Sequence, residues 1–372
     1  MSIAIRAATL QCAQSGGRAL DAFSDGLFAR LQHPVPPARR TAHFLGDTVS
    51  LPYFAAFAAE KLSAAALFDI LADHLAQAAQ QAGWPSESLR DTPVFIGSTA
   101  YLMSERELML DPAYMPATEI GGSHGLHHTA DHLRQRLGNP DVFSFATSCT
   151  SSANALVYAV KMLREGWCKR ALVLGFENFN ALTFEHFHAM GLLAATPDYA
   201  PFSGGNGFIC GEAAACLALE SGTDAPALIS GIAARTDTLG LTATDSNALR
   251  QVMQAALDDA GVAPEHIRLV KSHGVGSAAS DEAEAAALKT LLPDAPPAAL
   301  KPYIGHTLGA SGAAETALLL ACLQQSRLPP LPASAAAARL PAHGQTLADG
   351  AYLLNFFGFG GSNISCILEY RA

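Results

Sequence analysis

Short apolar runs, rich in β-branched and aromatic residues, alternate along the chain with longer, alanine-rich stretches. Continuous apolar runs of about four to eight residues are typical of strands buried on both faces, and the longer stretches are typical of helices. The pattern therefore predicts an α/β protein with buried sheets. Residues 16–40 show neither pattern and are predicted to be irregular. The predicted strands cover residues 3–8, 93–98, 142–147, 171–175, 213–220, 227–232, 269–273, 352–357 and 364–370.

The predicted elements form two series that resemble each other. Helices are predicted over residues 246–261 and 281–292, and each series ends in a pair of strands that follows a helix. We interpret this as an internal duplication with a seam near residues 221–226, although no repeat of the sequence itself is visible. The chain is accordingly divided into an N-terminal unit, 1–222, and a C-terminal unit, 223–372.

Composition and charge narrow the classes of protein that fit. Of the 372 residues, 50% are hydrophobic and 15% are charged, which excludes a disordered chain. The net charge of -10 gives no general attraction to nucleic acid or to an anionic membrane. The best apolar run, residues 316–323, is far shorter than the roughly 20 residues of a membrane helix. We see no export signal near the N-terminus and no C-x-x-C spacing among the 7 cysteines, so we expect reduced thiols in the cytoplasm.

One cysteine lies where a predicted strand passes into a helix. The segment Phe143-Ser-Phe-Ala-Thr-Ser-Cys149-Thr-Ser-Ser leads through small polar residues into a helix that reaches about Arg164. Free N–H groups and the helix dipole stabilise a thiolate there, so we expect the pKa of Cys149 to lie below the free value of about 8.5. The alternative is a small, buried, apolar residue. We apply that interpretation to Cys168, Cys216, Cys322 and Cys366.

Two histidines stand in glycine-rich settings. His273 follows a predicted strand in Lys-Ser-His-Gly-Val-Gly-Ser, and His306 precedes a helix in Tyr-Ile-Gly-His-Thr-Leu-Gly. Glycine lets the backbone turn tightly and lets a ligand come close. A third glycine segment, Phe-Phe-Gly-Phe359-Gly-Gly-Ser-Asn, lies between two strands and lacks the Lys-Ser/Thr of a phosphate loop. Each histidine alone is more often an ordinary interior residue, so it is the combination that points to chemistry.

Together these segments resemble the elongating β-ketoacyl-[acyl carrier protein] synthases, which have the thiolase fold. The resemblance covers about residues 45–372. Cys149 matches the nucleophile of the family's Ala-Cys-(Ser/Thr)-(Ser/Gly) turn, with Ser148 in place of Ala. His273 and His306 match the histidines of its His-Gly-Thr-x-(Ser/Thr) and Gly-His-Thr-x-Gly-Ala-x-Gly motifs. The resemblance implies two pseudo-duplicated βαβαβαββ halves in a five-layered αβαβα sandwich.

Other positions of the family carry over to the chain. Lys301 falls on the active-site lysine, where we expect an electrostatic support, with a simple ion pair to Glu315 as the alternative. Phe359, followed by Gly360, falls on the gatekeeper of the Gly-Phe-Gly-Gly-(Thr/Ser)-Asn motif.

Acidic and hydroxyl positions complete the expected site. Three acids are expected to organise it rather than to react. These are Asp281, Glu284 and Glu315. Val275 and Ser277 fall on the two hydroxyl positions that contact the phosphopantetheine arm, and Val275 lacks the hydroxyl.

The resemblance implies a decarboxylating Claisen condensation. An acyl chain moves from its carrier to Cys149 as a thioester, and malonyl-carrier protein loses carbon dioxide to give the attacking enolate. His273 and His306 donate hydrogen bonds to the enolate oxygen, and the N–H groups of Cys149 and Phe359 hold the tetrahedral oxyanion. The partner is an acyl carrier protein, and no metal and no cofactor besides its phosphopantetheine is expected.

The Cys-His-His set favours elongation over related activities of the fold. Initiating synthases have Asn where His306 stands, and thiolases use a second C-terminal cysteine, for which Cys366 in a predicted strand is a poor candidate. Three departures leave acyl selectivity and carrier docking open. They are the shorter N-terminus, the missing hydroxyl at Val275, and segment 200–208, which lacks the family's Asp and Arg.

A competing hypothesis is a chain-length-factor-like subunit with little activity of its own, paired with an active synthase. Such subunits usually lack the cysteine, so the retained Cys149 favours the enzyme. By resemblance, the protein forms a homodimer, or a heterodimer with a second ketosynthase-like subunit. The pathway is left open among fatty acid, polyketide and polyene synthesis.

Three further sets of residues are hypotheses about binding. A histidine cluster on a predicted polar helix lacks the Glu of H-E-x-x-H, so a subunit interface is favoured over zinc. It comprises His124, His127, His128 and His132. Basic residues for an acidic carrier are expected at Lys161, Arg164, Lys169 and Arg170. Walls of the acyl pocket are expected at Tyr101, Phe187 and Met190.

Overall fold

The computed structural model describes residues 1–115, 126–205, 207–240, 242 and 244–372. The strands among these residues are β1 Ile3–Cys12, β2 Leu20–Asp21, β3 Ala38–Phe44, β4 Asp47–Tyr53, β5 Val94–Gly97, β6 Val142–Phe145, β7 Arg170–Glu177, β8 Ala213–Ser221, β9 Ala227–Thr236, β10 Ile267–Lys271, β11 Pro297–Ala298, β12 Gly350–Gly358 and β13 Ser362–Tyr370. The helices among them are α1 Asp25–Leu31, α2 Ala64–Gln81, α3 Met103–Leu108, α4 His127–Leu137, α5 Ser151–Arg164, α6 Ala181–Ala189, α7 Ser246–Ala260, α8 Ala278–Leu291, α9 Lys301–Ile304 and α10 Ser311–Gln324.

The strand order of the main sheet is the same in the two halves of the chain. It is β6-β5-β7-β8-β1 in the first half and β11-β10-β12-β13-β9 in the second. In each half the first two pairings are parallel and the last two are antiparallel. The expected pseudo-duplication is confirmed by this repeat. The proposed division at residues 222 and 223 falls in the link from β8 to β9, and it stays a prediction.

Two helices lie between the halves. The sequence of α10 is apolar around its whole circumference, and the helix is buried on every side. It packs against α5 and against β1, β7 and β8, and one core cluster joins these helices to the inner faces of both halves. Helix α2 covers the outer face of the first half, while α7 and α8 cover that of the second. The two halves of the main sheet join where β1 pairs with β9, and they form the two sheet layers on either side of α5 and α10. The order helix, sheet, helix, sheet, helix confirms the five-layered sandwich.

The N-terminal region is more regular than its sequence suggests. Residues 16–40 include α1 and the start of β3, so the prediction of irregular structure there is wrong. Helix α1 is 7 residues long, which is too short for a clear helical period. Strands β3 and β4 form a hairpin whose turn residues, Leu45 and Gly46, have φ angles of 50° and 90°. The helices of the described residues fall short of the length or the apolar character that a bilayer crossing requires.

The contact between α10 and α5 leaves no space for a side chain at Gly312. A Cβ atom there would lie 2.3 Å from the backbone nitrogen of Ala153. We predict that Gly312→Ala lowers the free energy of unfolding by about 1–3 kcal/mol, because the helices must move apart. Denaturant unfolding of the purified variant measures this loss.

Gly26→Ala is the matched control. Gly26 lies in α1, and the nearest atom to a Cβ there would be 3.7 Å away. This variant should raise the free energy of unfolding by up to about 1 kcal/mol, because alanine favours the helix. A Gly312→Ala protein as stable as the wild type would contradict the close helix contact.

Candidate active site

Cys149 lies in a tight turn between β6 and α5. Ser148 has a φ of 54°, a left-handed conformation that residues other than glycine rarely adopt. The Ser151 hydroxyl fixes this turn, because it accepts a hydrogen bond from the N–H of Thr147 and donates one to the carbonyl of Ser148. Thr150 is the N-cap of α5, so Cys149 stands just before the first turn of the helix. The turn leaves 7% of Cys149 exposed.

The thiol of Cys149 is harder to ionise than the helix end alone would make it. Burial raises its pKa to about 12, and the charge of Lys301 and the backbone N–H groups of Phe359 and Cys149 offset only part of that rise. The expectation of a lowered pKa is therefore wrong, because the thiolate loses more hydration than these groups replace. Cys149 is a thiol at neutral pH.

Two buried carboxylates hold the loop that carries His273. Glu284 accepts hydrogen bonds from the N–H groups of residues 273 and 274, both at 2.9 Å. Asp281 accepts those of residues 275 and 276, at 3.0 and 3.1 Å. The ring nitrogen Nδ1 of His273 accepts a hydrogen bond from the N–H of Phe357 at 3.4 Å. This places the ring proton on Nε2, which makes Nε2 a donor.

His306 lies beside His273, with the two rings perpendicular and their centroids 5.4 Å apart. Phe208 packs against the His306 ring at the same distance, 5.4 Å. Nδ1 of His306 is 3.3 Å from the Ser311 hydroxyl, which can donate to it or accept from it. Burial, reinforced by the charge of Lys301, holds the pKa of both imidazoles well below the usual 6.5. Both rings are therefore neutral.

Lys301 is held in a buried ion pair. Its Nζ donates to Glu315 Oε1 at 2.7 Å and to the carbonyl of His273 at 2.6 Å. A second lysine, Lys271, lies 2.8 Å from the other oxygen of Glu315. Burial alone would raise the pKa of Glu315, but the two lysines lower it. Lys271 belongs to none of the motifs of the sequence, although a lysine that ends an apolar strand is a signal of a buried, paired charge.

Phe359 lies beside Cys149 on a glycine-rich loop. Gly360 has a φ of 81°, which lets the chain turn back at this point. Ser362 anchors the loop to α5, since its hydroxyl oxygen accepts a hydrogen bond from the Thr150 hydroxyl at 2.8 Å. The backbone N–H of Phe359 reaches the Cys149 sulfur and stabilises negative charge there.

Cys149, His273 and His306 line one cavity of about 260 Å³. Aromatic side chains form part of its wall, and these are Phe187, Phe208, Phe357 and Phe359. Hydroxyl groups line another part, from Thr242, Thr244, Ser277 and Ser280. Val275 also faces the cavity and presents an apolar group where a hydroxyl is expected from the family pattern.

Of the three predicted wall residues, Phe187 lines this cavity. Tyr101 lies instead in the outer core, where its hydroxyl donates to the carbonyls of Ile96 and Phe145. Met190 follows the end of α6 and is 38% exposed. The predictions for Tyr101 and Met190 are wrong, because no motif fixes the direction of either side chain.

Models of one protein family match most of this chain. The models named "Beta-ketoacyl synthase, N-terminal domain" and "Beta-ketoacyl synthase, C-terminal domain" match residues 52–225 and 226–334. The chain belongs to the β-ketoacyl synthase family.

The relatives of this β-ketoacyl synthase differ greatly in the share of their own length that it covers. Polyketide synthase ThaG of Burkholderia thailandensis is 32% identical over 269 residues, which cover 60% of this chain and 5% of ThaG. The 3-oxoacyl-[acyl-carrier-protein] synthase 2 of Coxiella burnetii is 26% identical over 294 residues, which cover 72% of this chain and 70% of that protein. The chain therefore spans only a small part of the first relative and most of the second.

The fold is that of solved ketosynthases. The structure of the ketosynthase ApeO in complex with its chain length factor ApeC, from Xenorhabdus doucetiae, superposes with a TM-score of 0.80 at 23% identity. The match covers 100% of this chain and 98% of that chain. The expected thiolase-like α/β fold is confirmed by this likeness.

Two of the four basic residues expected to bind a carrier are already engaged. Arg164 forms an ion pair with Asp259 at 2.7 Å, and Arg170 forms one with Glu220 at 3.1 Å. The docking hypothesis stays a prediction for both arginines, whose guanidinium groups are shared with these acids.

The two lysines of the same patch are exposed but distant from the cavity. Lys161 lies in the last turn of α5 and Lys169 lies beyond it. Cys149 stands at the other end of this 14-residue helix, which is about 21 Å long. The patch therefore does not adjoin the cavity.

The histidine cluster falls on α4. The rings of His127 and His128 are 4.5 Å apart, and His132 stacks on Phe68 at 3.8 Å. His124 lies outside the described residues. Within the part of the chain that the structure describes, no group of three or more His, Cys, Asp or Glu side chains is placed to hold a metal ion.

The raised pKa of Cys149 predicts how this thiol reacts with iodoacetamide. The alkylation rate should rise about tenfold per pH unit between pH 7 and pH 9 without a plateau, because only the thiolate reacts. Lys301→Met should slow the reaction at each pH, since the lysine charge lowers the pKa. Peptide mass spectrometry measures the modification of Cys149.

Lys161→Met is the matched control, because it removes an exposed lysine at the far end of α5. It should leave the alkylation rate unchanged. A plateau in the wild-type rate near neutral pH would contradict the raised pKa.

Proposed function

We propose that the protein is a 3-oxoacyl-[acyl carrier protein] synthase, an acyltransferase that condenses an acyl thioester on Cys149 with malonyl-carrier protein. The observation that carries the proposal is a buried cavity in which this thiol faces two neutral imidazoles, those of His273 and His306. Family membership and the name of the Coxiella burnetii relative support it.

The first half-reaction moves the acyl chain to Cys149. His306 takes the thiol proton at Nε2 while its Nδ1–H donates to the Ser311 hydroxyl. The sulfur attacks the carbonyl carbon of the acyl carrier thioester and forms a tetrahedral oxyanion. This oxyanion accepts hydrogen bonds from the backbone N–H groups of Cys149 and Phe359. The bond to the carrier sulfur breaks, and His306 returns the proton to that sulfur. The products are acyl-Cys149 and the free carrier thiol.

The second half-reaction uses both imidazoles as donors. The malonyl group loses carbon dioxide, and the electron pair of the broken carbon–carbon bond forms an enolate. The enolate oxygen accepts hydrogen bonds from the Nε2–H groups of His273 and His306. Between the half-reactions the free carrier leaves, and His306 exchanges protons with water so that its proton lies on Nε2. Ser311 supports this tautomer by donating to Nδ1. The enolate carbon attacks acyl-Cys149, and the cysteine sulfur leaves and takes up one proton. The product is a 3-oxoacyl chain on the carrier.

The remaining predicted residues act by position. The hydrogen bonds described above fix the loop that carries His273. The side chains that make them belong to Lys301, Glu315, Asp281 and Glu284. Ser277 contacts the phosphopantetheine arm, and Val275 contributes an apolar contact in place of the usual hydroxyl. Gly360 allows the turn of the gatekeeper loop.

The assembly and setting of the enzyme belong to the same proposal. An acyl carrier protein is the partner, because it brings the substrates on its phosphopantetheine, and the chain needs no further cofactor. The protein works in the cytoplasm as a homodimer or with a second ketosynthase-like subunit, and its halves are the units 1–222 and 223–372. The Xenorhabdus doucetiae complex pairs a ketosynthase with a chain length factor, which keeps the partner-subunit alternative open to test.

Incubation with a panel of acyl carrier thioesters tests the function. Mass spectrometry of the Cys149 peptide should show one acyl group in the wild type and none in Cys149→Ala. His273→Ala should still acquire the acyl group but should lose about 10²–10³-fold in condensation, because it removes one enolate donor. Product analysis by mass spectrometry measures this loss.

A wild-type chain that acquires no acyl group would contradict the proposal. A chain that condenses only after a second ketosynthase-like subunit is added, with that subunit's cysteine acylated instead of Cys149, would identify the partner-subunit alternative.

A further inference from the structure

The main chain of His273 is held from both sides by buried carboxylates and a lysine. On one side its N–H donates to Glu284 at 2.9 Å, and the Glu284 Oε1 that accepts it also accepts the Asn355 side-chain amide at 3.0 Å. On the other side its carbonyl accepts a hydrogen bond from Lys301 at 2.6 Å, and Lys301 donates to Glu315 at 2.7 Å. Two arms of hydrogen bonds thus lead away from His273.

Lys271 joins these two arms. Its Nζ donates to Glu315 at 2.8 Å and to the main-chain carbonyl of Asn355 at 2.6 Å. The same ammonium lies 3.8 Å from the centre of the Phe356 ring, a favourable cation–π contact. Because Asn355 belongs to one arm and Glu315 to the other, Lys271 closes a ring of hydrogen bonds that begins and ends at His273.

The ring is balanced in charge and closed to solvent. Lys271, Lys301 and Glu315 are 0% exposed, and Glu284 is 1% exposed. Burial lowers the pKa of Lys271 to about 8 while Glu315 opposes the shift, so the amine keeps its proton at neutral pH. Removing this one charge leaves Glu315 Oε2 and the Asn355 carbonyl without their lysine donor and leaves the ring with an unmatched negative charge.

We propose that Lys271 is a positioning residue for His273, because it closes the ring that fixes the imidazole at the place where the enolate forms. This inference rests on the proposed function, in which His273 serves the second half-reaction. Lys271 is not among the residues that line the cavity, so its effect passes through the ring.

Lys271→Met tests this role, since it removes the ammonium and keeps an unbranched side chain. Acylation of Cys149 should stay within about threefold of the wild type, whereas decarboxylation of malonyl-carrier protein and condensation should fall about 10²-fold, as a misplaced donor commonly costs. Intact-protein mass spectrometry follows acylation, and carbon dioxide release follows decarboxylation. An equal loss in both half-reactions, or no loss in condensation, would overturn the proposal.

Ser365→Ala is the matched control. The Ser365 hydroxyl donates to the Asn355 side-chain oxygen at 2.8 Å, next to the ring, but it supplies none of the ring's bonds. Both half-reactions should stay within about threefold of the wild type. If Lys271→Met does not fold, Lys271→Gln replaces it, because it keeps an N–H donor. The same split is expected there, with a condensation loss of about tenfold.

Hydrogen exchange separates this proposal from the proposed function, because it needs no substrate. The N–H groups of His273 and Gly274 should exchange about tenfold faster in Lys271→Met than in the wild type, since the ring no longer holds Glu284. The N–H groups of Thr99 and Ala100, which another buried carboxylate holds, should be unchanged. An unchanged exchange rate of the His273 N–H in Lys271→Met would contradict the positioning role of Lys271, even if the wild-type protein is an active enzyme. Faster exchange in a protein that never acylates Cys149 would support the ring and overturn the function.

Discussion

The close contact between α5 and α10 is the constraint on which the site depends. Cys149 stands 2 residues before α5 begins, and His306 stands 5 residues before α10 begins. Gly312 lets the N-terminal turn of α10 touch the backbone of Ala153 in α5. Because the two helix ends meet, a thiol from one half of the chain and an imidazole from the other face the same cavity. A side chain between the helices would separate them.

Burial at this meeting point sets the chemistry. The thiol of Cys149 and both imidazoles are neutral because the cavity gives their charged forms too little hydration. A neutral imidazole can donate a hydrogen bond to a forming oxyanion although it carries no charge of its own. The low local dielectric strengthens each hydrogen bond of this kind. The charges that do remain buried are paired, as Lys271, Lys301 and Glu315 illustrate. In the proposed reaction, the site therefore works through hydrogen bonds that are fixed in advance.

The sequence predicted the parts of this molecule that have a local pattern. The apolar runs identified the strands of the main sheet except the two-residue strands β2 and β11, and glycine settings pointed to His273 and His306. Properties that depend on the three-dimensional surroundings of a residue, such as its pKa, could not be predicted from the sequence. The helix N-terminus predicted a lowered pKa for Cys149, but the depth of burial, which no local pattern reports, reversed the direction.

Contacts between distant parts of the chain were equally hidden from the sequence. Arg164 looked like a free surface charge, yet its partner Asp259 lies 95 residues away along the chain. Lys271 carried a usable signal, a charge at the end of an apolar strand. What it binds, Glu315, depends on where α10 lies relative to β10, which requires the whole fold.

The two halves share the site so closely that neither contains it alone. Glu177, at the end of β7, accepts hydrogen bonds from Thr99 in its own half and, at 3.0 Å, from the N–H of Gly309 in the other. His306 is held at its N–H by the carbonyl of Ile209, at 2.7 Å, across the same boundary. Burial raises the pKa of Glu177 to about 7, and these donors offset part of that rise, so the carboxylate depends on contacts from both halves. The duplicated halves are thus units of topology, and the candidate site is a property of the interface between them.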